Sequence, residues 1–139
     1  MAGVATAGKK VPLESVPAAA VTKIKDQFPK AEISSVDKES NGDFEFVMKE
    51  GKRRFDVGVT PQGKLVNVKE ELPADQVPEM VLKGLLKKFP GATIVEAEKV
   101  ITGEGKAAKV TYELVIKKTD NVQKDVEFDA HGKLAGDKE

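Results

Sequence analysis

His131 is the only histidine in the chain, and cysteine is absent. Three carboxylates precede it at alternate positions, Asp125, Glu127 and Asp129, separated by Val126 and Phe128. Alternation of this kind places all three on the wet face of one strand, with His131 just beyond. A row of oxygen ligands suits a hard cation such as calcium, which takes about six or more of them. Carboxylates spaced this way lie roughly 7 Å apart, too far to share an ion without help from another strand. Lys109, Lys117 or Lys124 can pair with them instead. Asp125, Glu127, Asp129 and His131 are therefore a weak metal set, and no metal or cofactor is assigned. As a catalytic base His131 needs a nucleophile within reach. Its place in a turn between Asp129 and Gly132 suits an exposed turn residue better.

Two further runs suit partner binding rather than catalysis. Lys52, Arg53 and Arg54 follow Gly51 and form a basic hairpin edge that suits an acidic partner or a phosphate, with Glu50 and Asp56 close enough to offset it. Residues 100–108 carry Ile101, Gly103, Glu104, Gly105 and Lys106, a glycine-bearing tip with one apolar side chain to offer a partner. Its glycines lack the longer spacing and the following helix of a phosphate-binding loop. An alternative is a longer hairpin whose apolar residues pack on the neighbouring copy.

The elements that position these residues follow from the whole chain. Its 139 residues suit one compact domain or two very small ones, and 40% hydrophobic with 33% charged content is a globular composition with a charged exterior. Lysine plus arginine and aspartate plus glutamate both number 23. The resulting zero net charge lacks the basic surplus that nucleic-acid binding usually needs. No apolar run is long enough to span a bilayer. Absent cysteine removes disulfides, thiolate catalysis and zinc–thiolate sites together. Met1 to Lys10 lacks the apolar centre of an intact signal peptide, and Ala5-Thr6-Ala7 fits either the remnant of a cleavage site or a plain tail.

The chain repeats itself. Val16-Pro17 returns as Val77-Pro78, and Phe28-Pro29 with Ala31 and Ile33 returns as Phe89-Pro90 with Ala92 and Ile94, both shifted by 61 residues. Phe44-Glu45-Phe46-Val47 returns as Tyr112-Glu113-Leu114-Val115 after 68 residues, and Gly63-Lys64-Leu65 as Gly132-Lys133-Leu134 after 69. The second copy thus carries an insertion of seven residues, which contains the tip described above. His131 matches Gln62 in the first copy.

Each copy opens with a helix. Pro17 and Pro78 suit its first turn, with Ser15 and Asp75 as caps. Val16, Ala20, Ile24 and Phe28, then Val77, Val81, Leu85 and Phe89, form an apolar stripe at steps of four. Pro29 and Pro90 end the helices. Strands follow at 33–38, around Phe44 to Met48, around Phe55 to Val59 and at 65–69; the second copy matches them at 94–102, 110–116 and 126–128, with a short last strand after Leu134. All seven aromatic residues fall in the core phase, which leaves the wet face charged. That face therefore lacks both the stacking rings of single-strand nucleic-acid binders and the aromatic anchors of a tight inhibitor.

The duplicated V-P, F-P-x-A and D/T-x-x-G-K-L landmarks resemble the PepSY-like family. They are carried here by Val16, Pro17, Phe28, Pro29, Ala31, Gly63, Lys64 and Leu65, and by Val77, Pro78, Phe89, Pro90, Ala92, Gly132, Lys133 and Leu134. Members of that family resemble the beta-lactamase-inhibitor protein in architecture. The resemblance implies a bacterial protein in the periplasm or outside the cell, without catalytic residues, for which protease or hydrolase inhibition has been proposed.

The expected fold is α+β, a tandem duplication in which each unit is one helix packed on a three- to four-stranded antiparallel sheet. Its divisions are a flexible tail at 1–12, a first repeat at 13–72 and a second at 73–139 with an extended first hairpin. The expected function is non-enzymatic binding of another protein through the open sheet face or the long hairpin, as a monomer or weak dimer. Alternatives are a small-ligand or cation binder using the carboxylate row, and a purely structural domain.

Overall fold

The structure is a computed structural model and describes residues 8–138; the Ala5-Thr6-Ala7 stretch lies outside the described residues. The elements run β1 (Lys9–Val11), α1 (Ala18–Gln27), β2 (Glu32–Lys38), β3 (Phe44–Glu50), β4 (Arg53–Val59), β5 (Leu65–Leu72), α2 (Glu79–Lys88), β6 (Thr93–Thr102), β7 (Lys109–Lys117), β8 (Gln123–Asp129) and β9 (Leu134–Lys138). Short 3-10 turns at Leu13–Ser15 and Ala74–Gln76 precede the two helices, and a third covers Gly105–Ala107.

The expectation of two units, each with its own sheet of three to four strands, is corrected. The strands form one nine-stranded sheet whose spatial order is the sequence order β1 to β9. A strand at a sheet edge leaves a row of N–H and C=O groups unpaired, so a sequential meander favours one continuous ladder over several short ones. The coarse α+β class stands, with two short helices beside this sheet. β1 is a further departure. It pairs with β2 through Lys9↔Lys38, Lys10↔Asp37 and Val11↔Val36, within the stretch read as a tail. Three residues are too few to show periodicity in a sequence.

Two compact units emerge from the contacts. The first runs to Glu70 and also takes in Thr102–Ala108; the second comprises Glu71–Ile101 and the chain from Lys109 onward. In the first, Val16, Ala20 and Ile24 bury against Val36, Phe44, Phe46, Met48, Phe55, Val57, Val59 and Leu65. Val77, Val81 and Leu85 do the same in the second against Ala97, Tyr112, Leu114, Ile116, Val126 and Phe128. Each helix has only 10 residues, too short to persist alone in water, so packing of its stripe holds it. The half-buried ring of Phe28 packs at 5.2 Å from that of Phe55. Pro17 and Pro78 stand at the N-cap rather than inside the first turn. Neither helix has a side-chain cap: the Ser15 hydroxyl donates to the Pro12 carbonyl at 2.7 Å, and Asp75 sits within its own 3-10 turn.

The G-K-L turns lock helix to sheet. Gly63 has φ +91°, and a Cβ placed there would lie 2.7 Å from the Ala19 carbonyl oxygen of α1. Gly132 has φ +85° and abuts the Met80 carbonyl of α2 in the same way. The residue three before each glycine closes the turn: Thr60 Oγ1 accepts the Lys64 N–H at 3.0 Å, and Asp129 Oδ1 accepts the Lys133 N–H at 3.0 Å. The D/T-x-x-G-K-L pattern is thus a hydrogen-bonded turn pressed on a helix backbone.

This contact predicts unequal costs for two glycine substitutions. Gly42 also has positive φ, +94°, but nothing lies within 4 Å of a Cβ there. Gly42→Ala should cost about 1–2 kcal/mol from backbone strain alone. Gly63→Ala should cost a further ~1–3 kcal/mol, because the helix must shift. Urea denaturation of both variants measures this, and equal costs would refute the close contact.

Candidate binding surface

Alternation along the strands gives each unit two unlike faces. Phe44, Phe46, Met48, Phe55, Val57 and Val59 turn toward α1 and are buried. The residues between them turn the other way, where no helix of the unit packs among the described residues. On that open face of the first unit Asp37 stands opposite Glu45, and Val47 opposite Asp56. Asp56 in turn pairs across to Lys69. Asp37, Glu45 and Asp56 therefore come from three adjacent strands to one place.

The second unit repeats this trio. Shifts of 61, 68 and 69 residues carry Asp37, Glu45 and Asp56 onto Glu98, Glu113 and Asp125. Glu113 stands opposite Glu127, and Val115 opposite Asp125. Glu98 and Glu113, with Glu71, Glu96 and Val115, line a shallow cavity of about 310 Å³. Val115 is buried although it faces away from the core cluster.

Burial, and after it the crowding of like charges, affects two carboxylates of the first unit. Burial pushes the Glu45 carboxyl above its ordinary value, and the charges of Asp56, Glu39 and Asp37 add to the rise against the opposing pull of Lys69. Glu39 is raised in the same direction, by burial first and then by Asp37. Like charges directly across a ladder are destabilising, so this face departs from what stability alone favours.

The residues singled out in the sequence are placed as follows. Asp125, Glu127 and Asp129 do share one face of β8, alternating with the buried Val126 and Phe128. They do not converge on an ion: among the described residues no group of three or more His, Cys, Asp or Glu is arranged to hold a metal. Asp129 serves its turn, accepting the N–H groups of Lys133 at 3.0 Å and His131 at 2.9 Å, which hold its carboxyl below the ordinary value. His131 is exposed at that turn.

In the basic run, Arg53 is engaged within its own unit. Its Nε and Nη2 donate to the two Glu70 oxygens at 2.8 and 3.1 Å, and its guanidinium lies 4.9 Å from the Phe55 ring centre. Lys52 and Arg54 are exposed, and Arg54 stands opposite Lys49 on the open face.

The tip of the insertion is held by the first unit. Gly103 N–H donates to the Val66 carbonyl at 2.8 Å, and the Glu104 carboxylate lies 3.0 Å from Lys23 Nζ on α1. A hydrogen bond from Lys23, and further one from the Leu65 backbone, hold the Glu104 carboxyl below its ordinary value. Gly105 and Lys106 are exposed in the 3-10 turn, and Ile101 is half-buried on β6.

Of the two trios, only Asp125 stood out in the sequence. Asp37, Glu45, Asp56, Glu98 and Glu113 did not, because each is an ordinary charged residue within its own strand. The usable signal was the repeat itself, since Glu45 and Glu113 sit inside the matched Phe44–Val47 and Tyr112–Val115 segments.

Comparison with known proteins agrees with this architecture. The family described as "Putative beta-lactamase-inhibitor-like, PepSY-like" matches residues 4–67 and again 61–135, so the chain belongs to the PepSY-like family and carries two copies of its unit. No curated protein matches the chain. Among solved structures it is similar to a BLIP-like protein of Bacteroides fragilis at 15% identity, covering 92% of this chain and 86% of that one with a TM-score of 0.71. A DUF2874 family protein of Bacteroides ovatus is similar at 16% identity, with 89% and 87% covered and a TM-score of 0.74. A third, from Bacteroides eggerthii and described as "putative periplasmic", is similar at 13% identity, with 88% of each chain covered and a TM-score of 0.72. At such identities the likeness is one of fold. No helix among the described residues is long and apolar enough to cross a membrane.

Burial of Glu45, with the neighbouring like charges adding to it, predicts a pH signature. A carboxyl whose folded pKa is raised contributes stability that is fully present below the ordinary glutamate value and is lost as pH rises through the raised value. Glu45→Gln should therefore stabilise the chain near neutral pH by about 0.2–1 kcal/mol, the scale of one cross-strand pair. The advantage should vanish in acid. Thermal unfolding at pH 7 and below pH 4 checks this, and a destabilised variant at pH 7 would contradict it.

Proposed function

We propose that the chain is a non-enzymatic, exported binding protein that receives the basic surface of another protein on its open sheet face. The observation that carries this reading is the repetition of one acidic trio, Asp37, Glu45 and Asp56, then Glu98, Glu113 and Asp125, on the helix-free face of both units. Such a field steers a positively charged partner and fixes its register. The shallow cavity of the second unit, with buried Val115 among glutamates, suits a lysine or arginine side chain whose stem is apolar and whose head is charged. The long hairpin is the poorer surface, because Gly103 and Glu104 already hold the first unit.

Export to the periplasm or beyond is supported by the family and by the "putative periplasmic" description of the Bacteroides eggerthii protein. Inhibition of a hydrolase is the finer reading, supported by the likeness to the BLIP-like protein of Bacteroides fragilis.

The test uses the full chain, immobilised and exposed to the exported fraction of its own organism. A basic-surfaced protein should be retained at low salt and released as salt screens the contact. The double substitution Glu45→Lys with Glu113→Lys should weaken that retention at least about tenfold, with folding checked by circular dichroism. If the captured protein is a hydrolase, titration with the chain should lower its activity. Equal retention by the charge-reversed variant would overturn the proposed surface.

A further inference from the structure

Thr102–Ala108 fills a place in the first unit whose counterpart in the second is unfilled among the described residues. In the first unit Gly103 N–H donates to the Val66 carbonyl at 2.8 Å. Beside it, Glu104 is held by Lys23 and the Leu65 backbone, with Lys64 adding its charge. A bulge falls at Val66, where pairing passes from Val59↔Leu65 to Gly58↔Asn67.

β9 reproduces that bulge. Pairing passes from Phe128↔Leu134 to Glu127↔Gly136, each residue 69 positions beyond its counterpart. Ala135 therefore stands where Val66 stands, Leu134 where Leu65 stands, and Lys133 where Lys64 stands. β9 is also the last strand of the sheet, hydrogen-bonded to β8 alone among the described residues. The outward backbone groups of such an edge are a template for a further strand.

We propose that the outer edge of β9 is a strand-addition site for an extended segment of a partner protein that carries one carboxylate. The first unit specifies the occupant: a strand that donates an N–H to the carbonyl of Ala135, followed by a carboxylate received by the Leu134 N–H and Lys133. Lys23 has no counterpart here, since Gly84 takes its place. The carboxylate is thus held by one amide and one lysine instead of an amide and two lysines.

A peptide with the sequence of Lys99–Ala107 is the probe, because it carries the Thr102-Gly103-Glu104 segment that fills the first unit. Titrated into the full chain labelled with nitrogen-15, it should shift the amide signals of Lys133–Lys138 in a saturable way and leave β2 to β4 unmoved. Glu104→Gln in the peptide and Lys133→Gln in the chain should each weaken binding about two- to fivefold, as befits an exposed charged contact. No shift at Lys133–Lys138 with millimolar peptide would overturn the proposal. So would shifts confined to α1 and Leu65–Leu72, which would mean that the peptide only displaces the chain's own segment. Unchanged affinity after both substitutions would overturn the role given to the carboxylate.

Discussion

Everything in this protein depends on a short helix burying its apolar stripe on one face of an antiparallel ladder. A helix of 10 residues gains too little from its own hydrogen bonds to persist. Ala20 and Ile24 in α1, and Val81 and Leu85 in α2, are fully buried and bind each helix to its sheet. The G-K-L turns fix the distance, since Gly63 and Gly132 press directly on helix backbone. Once one face is committed to the helices, period-two alternation consigns the intervening residues to the other face, and there the charges collect.

Duplication repeats both faces. Most core positions correspond through the same shifts as the acidic trio, Phe55 with its counterpart Lys124 being an exception, and the bulge beside Leu65 returns beside Leu134. The second copy differs by its insertion. Its tip is taken into the first unit, where Glu104 meets Lys23 and Gly103 meets Val66. Of the two readings the sequence allowed for this tip, a partner anchor or packing on the neighbouring copy, the contacts of Gly103 and Glu104 match the second.

The helices, the core phase of the aromatics and the turn motif were legible in the sequence, because each rests on short-range spacing. β1 was not, as three residues carry no period, and the joining of all nine strands into one sheet is a long-range outcome that spacing does not encode. Ser15 fits a helix cap by type, yet its hydroxyl closes the preceding 3-10 turn instead. Arg53 reads as offset by its neighbours, and Glu50 does lie 3.4 Å from it, but the closer partner is Glu70, 17 positions on, which short-range spacing does not point to. The acidic trio was hidden for the same reason. Asp37, Glu45 and Asp56 sit on β2, β3 and β4, and only pairing brings them together.

The claim that the open sheet face is the working surface is tested most directly by carboxyl footprinting. The full chain would be labelled with a carbodiimide and an amine, alone and then in complex with its captured partner, and the modified residues identified by mass spectrometry. The account predicts protection of Asp37, Glu45, Asp56, Glu98, Glu113 and Asp125 in the complex, with Glu14 and Glu79 beside the helices labelled equally in both states. Protection at Glu14 and Glu79, with the six open-face carboxylates labelled as in the free chain, would contradict it.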